Sequence, residues 1–359
     1  MKIKLKECVQ LVKDRTSIEN VDLASYISTD NMLPNRKGVD FNKSSKPKAK
    51  TVLMYQKGDV LISNIRPYFK KIWMADRNGT RSGDILAFRV NKSGILQKYL
   101  YCILQSDIFF DYVMASAKGT KMPRGDKNAI LDFEFEVPSI EKQKKVYKPI
   151  LTIEKKINLN NKINTNLLAI AKEKYQKMLA SSLLTKTKLK DFATITMGQS
   201  PSSKTYNKEK QGVALLNGAT DFRNGIHPSK WTTDPKKVVN KGAYIFGVRA
   251  TIGLTTKVFN KYAIGRGTGS AVSKDTTNDE FLYFVLNDIF KDFKNTGSGS
   301  VYINISKKDL NEYTFYKPKI NELISFHQTI APIMNKIYTN NQENIVLTEI
   351  KENLLKQFF

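Results

Sequence analysis

The sequence predicts an α/β (α+β) chain: two similar globular domains separated by two long antiparallel coiled-coil helices and related by a pseudo-two-fold axis. Three observations carry the prediction: the first half of the chain recurs in the second, each half mixes short strands with helices, and each half closes on a long heptad-patterned helix. Lys4-Leu5-Lys6-Glu7 returns as Lys188-Leu189-Lys190-Asp191 and Lys57-Gly58 as Lys241-Gly242, both at an offset of 184 residues. Further along the offset is 180, placing Gly119 on Gly299, Lys127 on Lys307, Phe135 on Phe315 and Pro138-Ser139-Ile140 on Pro318-Lys319-Ile320. An ordered match over so many separated positions is a duplicated domain, and two such copies can pack about a local dyad as symmetric dimers do.

The first domain is assigned to residues 1–145. Short β-branched and aromatic runs, Asp59 to Ile65 and Asp84 to Val90, are punctuated by the turn signals Lys57-Gly58, Asn78-Gly79 and Ser82-Gly83. Tyr99 to Met114 reads as one buried amphipathic helix, with Tyr99, Tyr101, Ile103, Leu104, Ile108 and Val113 as core candidates. The second domain, 185–320, repeats the plan with Lys241-Gly242, the run Ala243 to Val248, the glycine-rich Gly265 to Gly269 and the apolar helix Phe281 to Phe290.

Each domain feeds a long helix, 146–184 after the first and 321–359 after the second. In the first copy the helical pattern opens after Pro138-Ser139, with Ser139 as N-cap, and a kink is expected before Pro149; Pro332 is its counterpart. Ile153, Ile157, Asn160, Asn164 and Leu167 form a stripe that recurs as Ile333, Ile337, Asn340, Asn344 and Leu347. That alternating four-and-three spacing is a coiled-coil seam, and asparagines within it cost stability while rejecting wrong registers. The two helices are therefore expected to pair with each other, antiparallel.

With 59 Lys and Arg against 33 Asp and Glu, the formal charge is +26, so a polyanion is attracted strongly and nucleic acid is the leading partner, ahead of an acidic protein or an anionic membrane surface. A length of 359 residues with 41% hydrophobic content suffices for two packed domains. The N-terminal Met1-Lys2-Ile3-Lys4-Leu5-Lys6 lacks an apolar signal core, and no segment approaches the roughly 20 apolar residues of a membrane span. Only Cys8 and Cys102 are present, which excludes a disulfide framework or thiolate zinc site. A soluble, cytoplasmic chain of bacterial or archaeal type, with no membrane partner, is expected.

Catalytic motifs are missing from the pattern. His227 and His327 stand apart from repeated carboxylates, no GxxxxGK[ST] loop occurs, and Gly265-Arg266-Gly267-Thr268-Gly269 lacks the context of a dinucleotide fingerprint and reads as a flexible basic loop. Asp132, Glu134 and Glu136 alternate with Phe133 and Phe135 as metal-dependent nucleases' carboxylates can, but the second copy has Glu312, Thr314 and Tyr316, so a strand edge is the reading. No catalytic residue, metal site or cofactor is expected on this chain.

DNA contacts are expected where cations sit beside glycines. Lys118, Gly119, Lys121, Arg124 and Lys127 share a glycine-containing loop suited to phosphates or guanine edges. The second copy places Ser298, Ser300, Tyr302 and Lys307 in the same frame, as expected of related domains that read different sequences. Arg66, followed by Lys70 and Lys71, and its counterpart Arg249 each follow a strand, a rigid base for a guanidinium; Arg266 adds a cation on the second copy's glycine-rich loop.

The ordered segments Leu5-Lys6-Glu7, Lys57-Gly58-Asp59-Val60-Leu61-Ile62-Ser63, Gly119-Thr120 and Val137-Pro138-Ser139-Ile140-Glu141-Lys142-Gln143, leading into a long helix and then repeated, resemble the specificity subunits of type I restriction-modification systems. The resemblance spans essentially the whole chain. The second copy departs from it at Lys317-Pro318-Lys319-Ile320-Asn321-Glu322, which lacks the Glu-Gln pair, and at Ala243 to Gly247. It implies two target-recognition domains, each reading half of a bipartite duplex target, held apart by the paired helices. It also implies two methyltransferase subunits carrying S-adenosylmethionine, and restriction subunits supplying ATP- and Mg-dependent translocation and cleavage. The alternatives are a stand-alone DNA-modifying or DNA-cleaving enzyme and, more remotely, a basic scaffold for RNA.

Overall fold

The leucine of each repeat's opening Lys-Leu-Lys-acid segment is fully buried, Leu5 and Leu189 both at 0% exposure. The computed structural model describes residues 2–218, 221–222, 225–249, 252–296 and 305–359. It divides into two units, Met1–Ile157 with Leu347–Phe359, and Asn158–Val346. Each unit thus takes one part of each long helix, a grouping that the linear division into domain and helix does not express.

In the first unit, Lys2–Lys4 pairs antiparallel with Glu134–Glu136. Ile3 and Phe135 point inward, while Lys4 faces Glu134 across the ladder and Lys6 lies 2.7 Å from Asp132. The alternating acidic run is therefore a charge-matched strand edge. A four-stranded antiparallel sheet follows in the order Val9–Leu11, Ile85–Val90, Val60–Ser63, Ile72–Met74. A second sheet orders Arg15–Ser17, Thr51–Tyr55, Gly79–Arg81 and Tyr26–Ile27, the last pair parallel. Strand Val60–Ser63 is buried on both faces: Val60 and Ile62 join the helix-side core with Phe88 and Leu100, and Leu61 joins a cluster with Ile27 and Tyr55 of the second sheet.

The second unit repeats this plan. Thr185–Lys188 pairs with Thr314–Lys317, and the four-stranded sheet runs Ala193–Met197, Thr268–Ser273, Tyr244–Gly247, Thr255–Lys257. Tyr244 and Phe246 face the helix-side core and Ile245 the other, position for position as in the first copy. The second sheet has five strands, in the order Tyr206–Asn207, Lys230–Thr232, Val213–Leu216, Tyr262–Ile264, Val238–Val239. The buried Asp59, held by Arg89 through two bonds of 2.7 and 2.8 Å, is replaced at this position by buried Ala243, so the ion pair belongs to one copy only.

Where one helix is expected from Tyr99 to Met114, the structure has two, Gln97–Gln105 and Asp107–Ala115. Ser106 breaks them: its backbone is extended and its hydroxyl caps Phe109 N at 3.2 Å. Aligning Tyr99-Leu100-Tyr101 with Phe281-Leu282-Tyr283 and Asp107-Ile108-Phe109 with Asp288-Ile289-Phe290 leaves Ser106 without a counterpart. The second copy accordingly keeps one helix, Asp279–Thr296. The break turns the following segment, so the core candidate Ile108 is 57% exposed whereas its counterpart Ile289 is 1% exposed.

The long helices are Ile140–Ser181 and Ile320–Phe358, each continuous past its internal proline, Pro149 or Pro332. Ser139 Oγ accepts from Lys142 N at 3.4 Å at the start of the first. Among the described residues no helix is long and apolar enough to cross a membrane.

The turn entering each central strand needs a left-handed residue: Gly58 and Gly242 both have φ +96°, and both donate their N–H to the neighbouring strand's end, to Ala75 O at 2.8 Å and Val258 O at 2.9 Å. No atom lies within 4 Å of the place a Cβ would take at either glycine, so substitution strains only the backbone. We expect Gly58→Ala and Gly242→Ala each to cost about 1–2 kcal/mol. Matching falls in the denaturation midpoint of the two variants would check this; an unchanged midpoint for one of them would show that the two turns are not equivalent.

Candidate nucleic-acid interface

The central strand of the first unit ends at a clamp. Asn64 N donates to Asp84 O at 2.8 Å, Arg66 N to Pro123 O at 2.7 Å, and Gly125 N to Asn64 O at 3.1 Å. Lys118 and Arg124 exchange both backbone hydrogen bonds at 2.9 Å, which closes the loop between them into a tight hairpin on the strand end. Arg66 and Lys70 flank the short turn Pro67–Phe69 and both are left-handed, with φ 50° and 49°. Two such non-glycine residues so close together are costly and persist only where surrounding bonds fix them.

The expected cations divide into two groups. Lys118, Gly119, Lys121, Arg124 and Lys127 lie exposed on the loop and the first turn of helix Lys127–Leu131. Lys118 Nζ sits 3.1 Å from Asp126 and Arg124 lies 2.8 Å from Asp84, while Lys121 has no ion pair among the described residues. Asp126 caps the helix, accepting from Asn128 N at 2.9 Å, and the bond from Lys118 together with these backbone donors holds its carboxyl below the usual range. Lys70 and Lys71 are instead half-buried and turned inward. Lys70 joins Arg36 on Asp107, and Lys71 donates to the Thr29 carbonyl, its pKa lowered by burial and by Arg66 nearby. Arg66 has its Nε buried without a hydrogen-bond partner among the described residues. Between these cations stands Tyr68, 46% exposed, an aromatic face beside the basic loop that the sequence reading did not single out. Its sequence signal is the proline after Arg66, which opens the short turn Pro67–Phe69 that carries Tyr68.

Among the described residues the second unit repeats the strand-end bond and the capped helix of this frame. Val248 N donates to Gly267 O at 3.1 Å, the counterpart of the Asn64–Asp84 bond, so Arg249 and Arg266 emerge at adjacent strand ends. Both are exposed and neither has an ion pair among the described residues. The glycine-rich segment is not the flexible loop expected. Gly265 N donates to Leu216 O at 2.9 Å, a Cβ at Gly265 would lie 1.9 Å from Asn217 Oδ1, and Thr268 and Gly269 already belong to a strand; the glycines permit close packing. Lys307 is exposed in the first turn of Lys307–Glu312, capped by Ser306 as Asp126 caps its counterpart. Ser298, Ser300 and Tyr302 lie outside the described residues.

Of the histidines, His327 lies 2.5 Å from the buried Glu280. Among the described residues no group of His, Cys, Asp and Glu side chains is placed to hold a metal ion.

In the second unit the helices pair antiparallel through asparagines. Asn160 Nδ2 donates to Asn344 Oδ1 at 2.9 Å and to Glu343 at 2.8 Å; Asn164 Nδ2 donates to Asn341 and Asn340 Nδ2 to Asn164, both at 2.8 Å. Asn160 and Asn340 are each 1% exposed, and Ile337 is buried while Asn164, Leu167, Ile333 and Asn344 are half-buried. Ile153, Ile157 and Leu347, all half-buried, belong to the first unit.

Exposed cations on a hairpin fixed by backbone bonds are suited to phosphate, and phosphate contacts carry no sequence information. Replacing Lys118 and Lys121 with Ala should weaken duplex binding across unrelated sequences and reduce the slope of log affinity against log salt by about 1–2. Titrations at several salt concentrations measure both; an unchanged slope would take the pair away from phosphate.

Residues 183–352 match the family described as the type I restriction modification DNA specificity domain. A putative type I restriction enzyme MjaX specificity subunit from Methanocaldococcus jannaschii is 26% identical over 298 residues, covering 76% of this chain and 69% of that protein. The type I restriction enzyme HindI specificity subunit from Haemophilus influenzae is 21% identical, with 84% and 85% covered. In fold, the S subunit of a type I restriction-modification system from M. genitalium matches with a TM-score of 0.64 at 15% identity, over 100% of this chain and 96% of that one. Family match and repeated strand order agree: residues 183–352 belong to the type I restriction modification DNA specificity domain family, and the first unit repeats the same strand plan.

Proposed function

We propose that this chain is the DNA-recognition subunit of a type I restriction-modification complex and that each of its two domains reads one half of a bipartite, asymmetric duplex target. The observation that carries the reading is the frame common to both units. A doubly buried strand ends in the same backbone bond, Asn64 to Asp84 or Val248 to Gly267, and a capped helix follows at Lys127 or Lys307. The side chains mounted on that frame differ, as separate half-sites require. The +26 charge supplies the sequence-independent attraction and the loops supply the choice.

The finer assembly belongs to the same proposal. Two methyltransferase subunits carrying S-adenosylmethionine dock on the long helices, and restriction subunits bring ATP- and Mg-dependent translocation and cleavage; this chain, working in the cytoplasm, holds no cofactor and performs no chemistry of its own. The helices set the unread spacer, since roughly 30 residues of seam at 1.5 Å per residue, about 45 Å, exceed one 34–36 Å turn of B-DNA only slightly.

The test is a domain exchange. Substituting residues 1–140 with the equivalent domain of a relative should change one half of the methylated sequence and leave the other half intact. A change in both halves, or in neither, would refute independent reading.

A further inference from the structure

The two long helices share an enclosed ion pair, its Lys and Glu side chains 7% and 16% exposed, that their internal symmetry does not repeat. In the first unit Lys351 Nζ lies 3.1 Å from Glu154 Oε1 and donates to Gln105 Oε1 at 3.3 Å, while the Tyr101 hydroxyl donates to Glu154 at 3.4 Å. Lys351 is 5% exposed. At the offset of 180 that aligns the helices, Glu154 falls on Met334 and Lys351 on Ala171. Met334 and Ala171, 1% and 0% exposed, belong to the apolar core of the second unit. One layer is therefore charged where its twin is apolar.

The asparagine layer behaves differently. Asn160, Asn161 and Asn164 align with Asn340, Asn341 and Asn344, so each set can serve as the other's partner. Its asparagine-to-asparagine bonds fix register but do not distinguish the first helix from the second; only the added bond from Asn160 to Glu343, where the first helix has Ile163, differs between them. Two copies of this chain could satisfy the shared bonds by pairing first helix with first helix. Such a pairing sets Glu154 of one copy against Ala171 of the other, a largely enclosed carboxylate without a counter-ion; second helix with second helix sets Lys351 against Met334. Removing one partner of a buried pair is far costlier than the pair's own net worth.

We propose that Glu154 and Lys351 are the pairing-specificity determinant of this chain: they force the first long helix to accept only the second, and so exclude exchanged dimers of two identical halves. A carboxylate against alanine is the repulsive element that specificity requires alongside attraction. On the functional reading above, an exchanged dimer would join two copies of one recognition domain and select a symmetric target, so the ion pair protects the asymmetry of the site read.

Two full-length preparations, one isotopically labelled, are unfolded together, refolded by dilution and weighed by native mass spectrometry, which requires no DNA activity. The native chain should give few mixed dimers. Glu154→Met with Lys351→Ala, the residues the second unit already uses, should raise the mixed-dimer fraction at least ten-fold. Glu154→Gln, which keeps the side chain's shape, should shift it in the same direction should the double variant fail to fold. Glu154→Lys with Lys351→Glu, which remakes the pair, should return to the native level. Abundant mixed dimers of the native chain, no increase in the neutralised variants, or dimers from the reversed pair as frequent as from the apolar one would each overturn the proposal.

Discussion

Each domain depends on one strand buried on both faces. Val60, Leu61 and Ile62 in the first copy are 0–3% exposed and Tyr244, Ile245 and Phe246 in the second are 0% exposed. Burying such side chains yields about 1.5–3 kcal/mol apiece, and alternate residues serve different cores, so the strand cannot slip by one position without exchanging both. That rigidity reaches the surface. Asn64 and Val248 lie just beyond the strand, and the arginines that follow inherit a fixed starting point. A loop that discriminates bases needs such a base, since its own backbone has few bonds to hold it.

The long helices answer a different demand. Seam asparagines and an enclosed Lys–Glu pair are poor sources of stability, because desolvating them offsets most of what their mutual bonds return. Their value lies in rejection: the asparagines reject wrong registers and the ion pair rejects the wrong partner helix. A duplicated chain has particular need of this, since the apolar seam positions Ile153, Ile157 and Leu167 of one helix recur as Ile333, Ile337 and Leu347 in the other.

Much of this was legible from the residues alone. Duplication, the α/β plan of each copy, the strand-end arginines and the asparagine seam all follow local patterns. The Ser106 break was hidden because one extra polar residue sits inside a run that is otherwise apolar at helical spacing, and only the second copy, which lacks it, exposes the insertion. Lys70 and Lys71 could not be told from surface cations, because Asp107 and Thr29, which turn them inward, lie far away in sequence. The Gly265 turn was misread as flexible for a similar reason: Asn217, which fills the space a side chain would need, is remote in sequence. Lys351 looks like one more lysine on a basic helix until Gln105 and Glu154 close around it. Tertiary partners at long separation decide which charges are structural, and composition cannot supply them.

The central claim is that this chain chooses a bipartite DNA sequence for enzymes that act on it. Sequencing methylated adenines across the host genome, with and without the gene, tests that claim most directly. The account predicts that deletion abolishes methylation at one asymmetric motif whose two specified halves flank unspecified base pairs. An unchanged methylation pattern, or loss at a single uninterrupted motif, would contradict it.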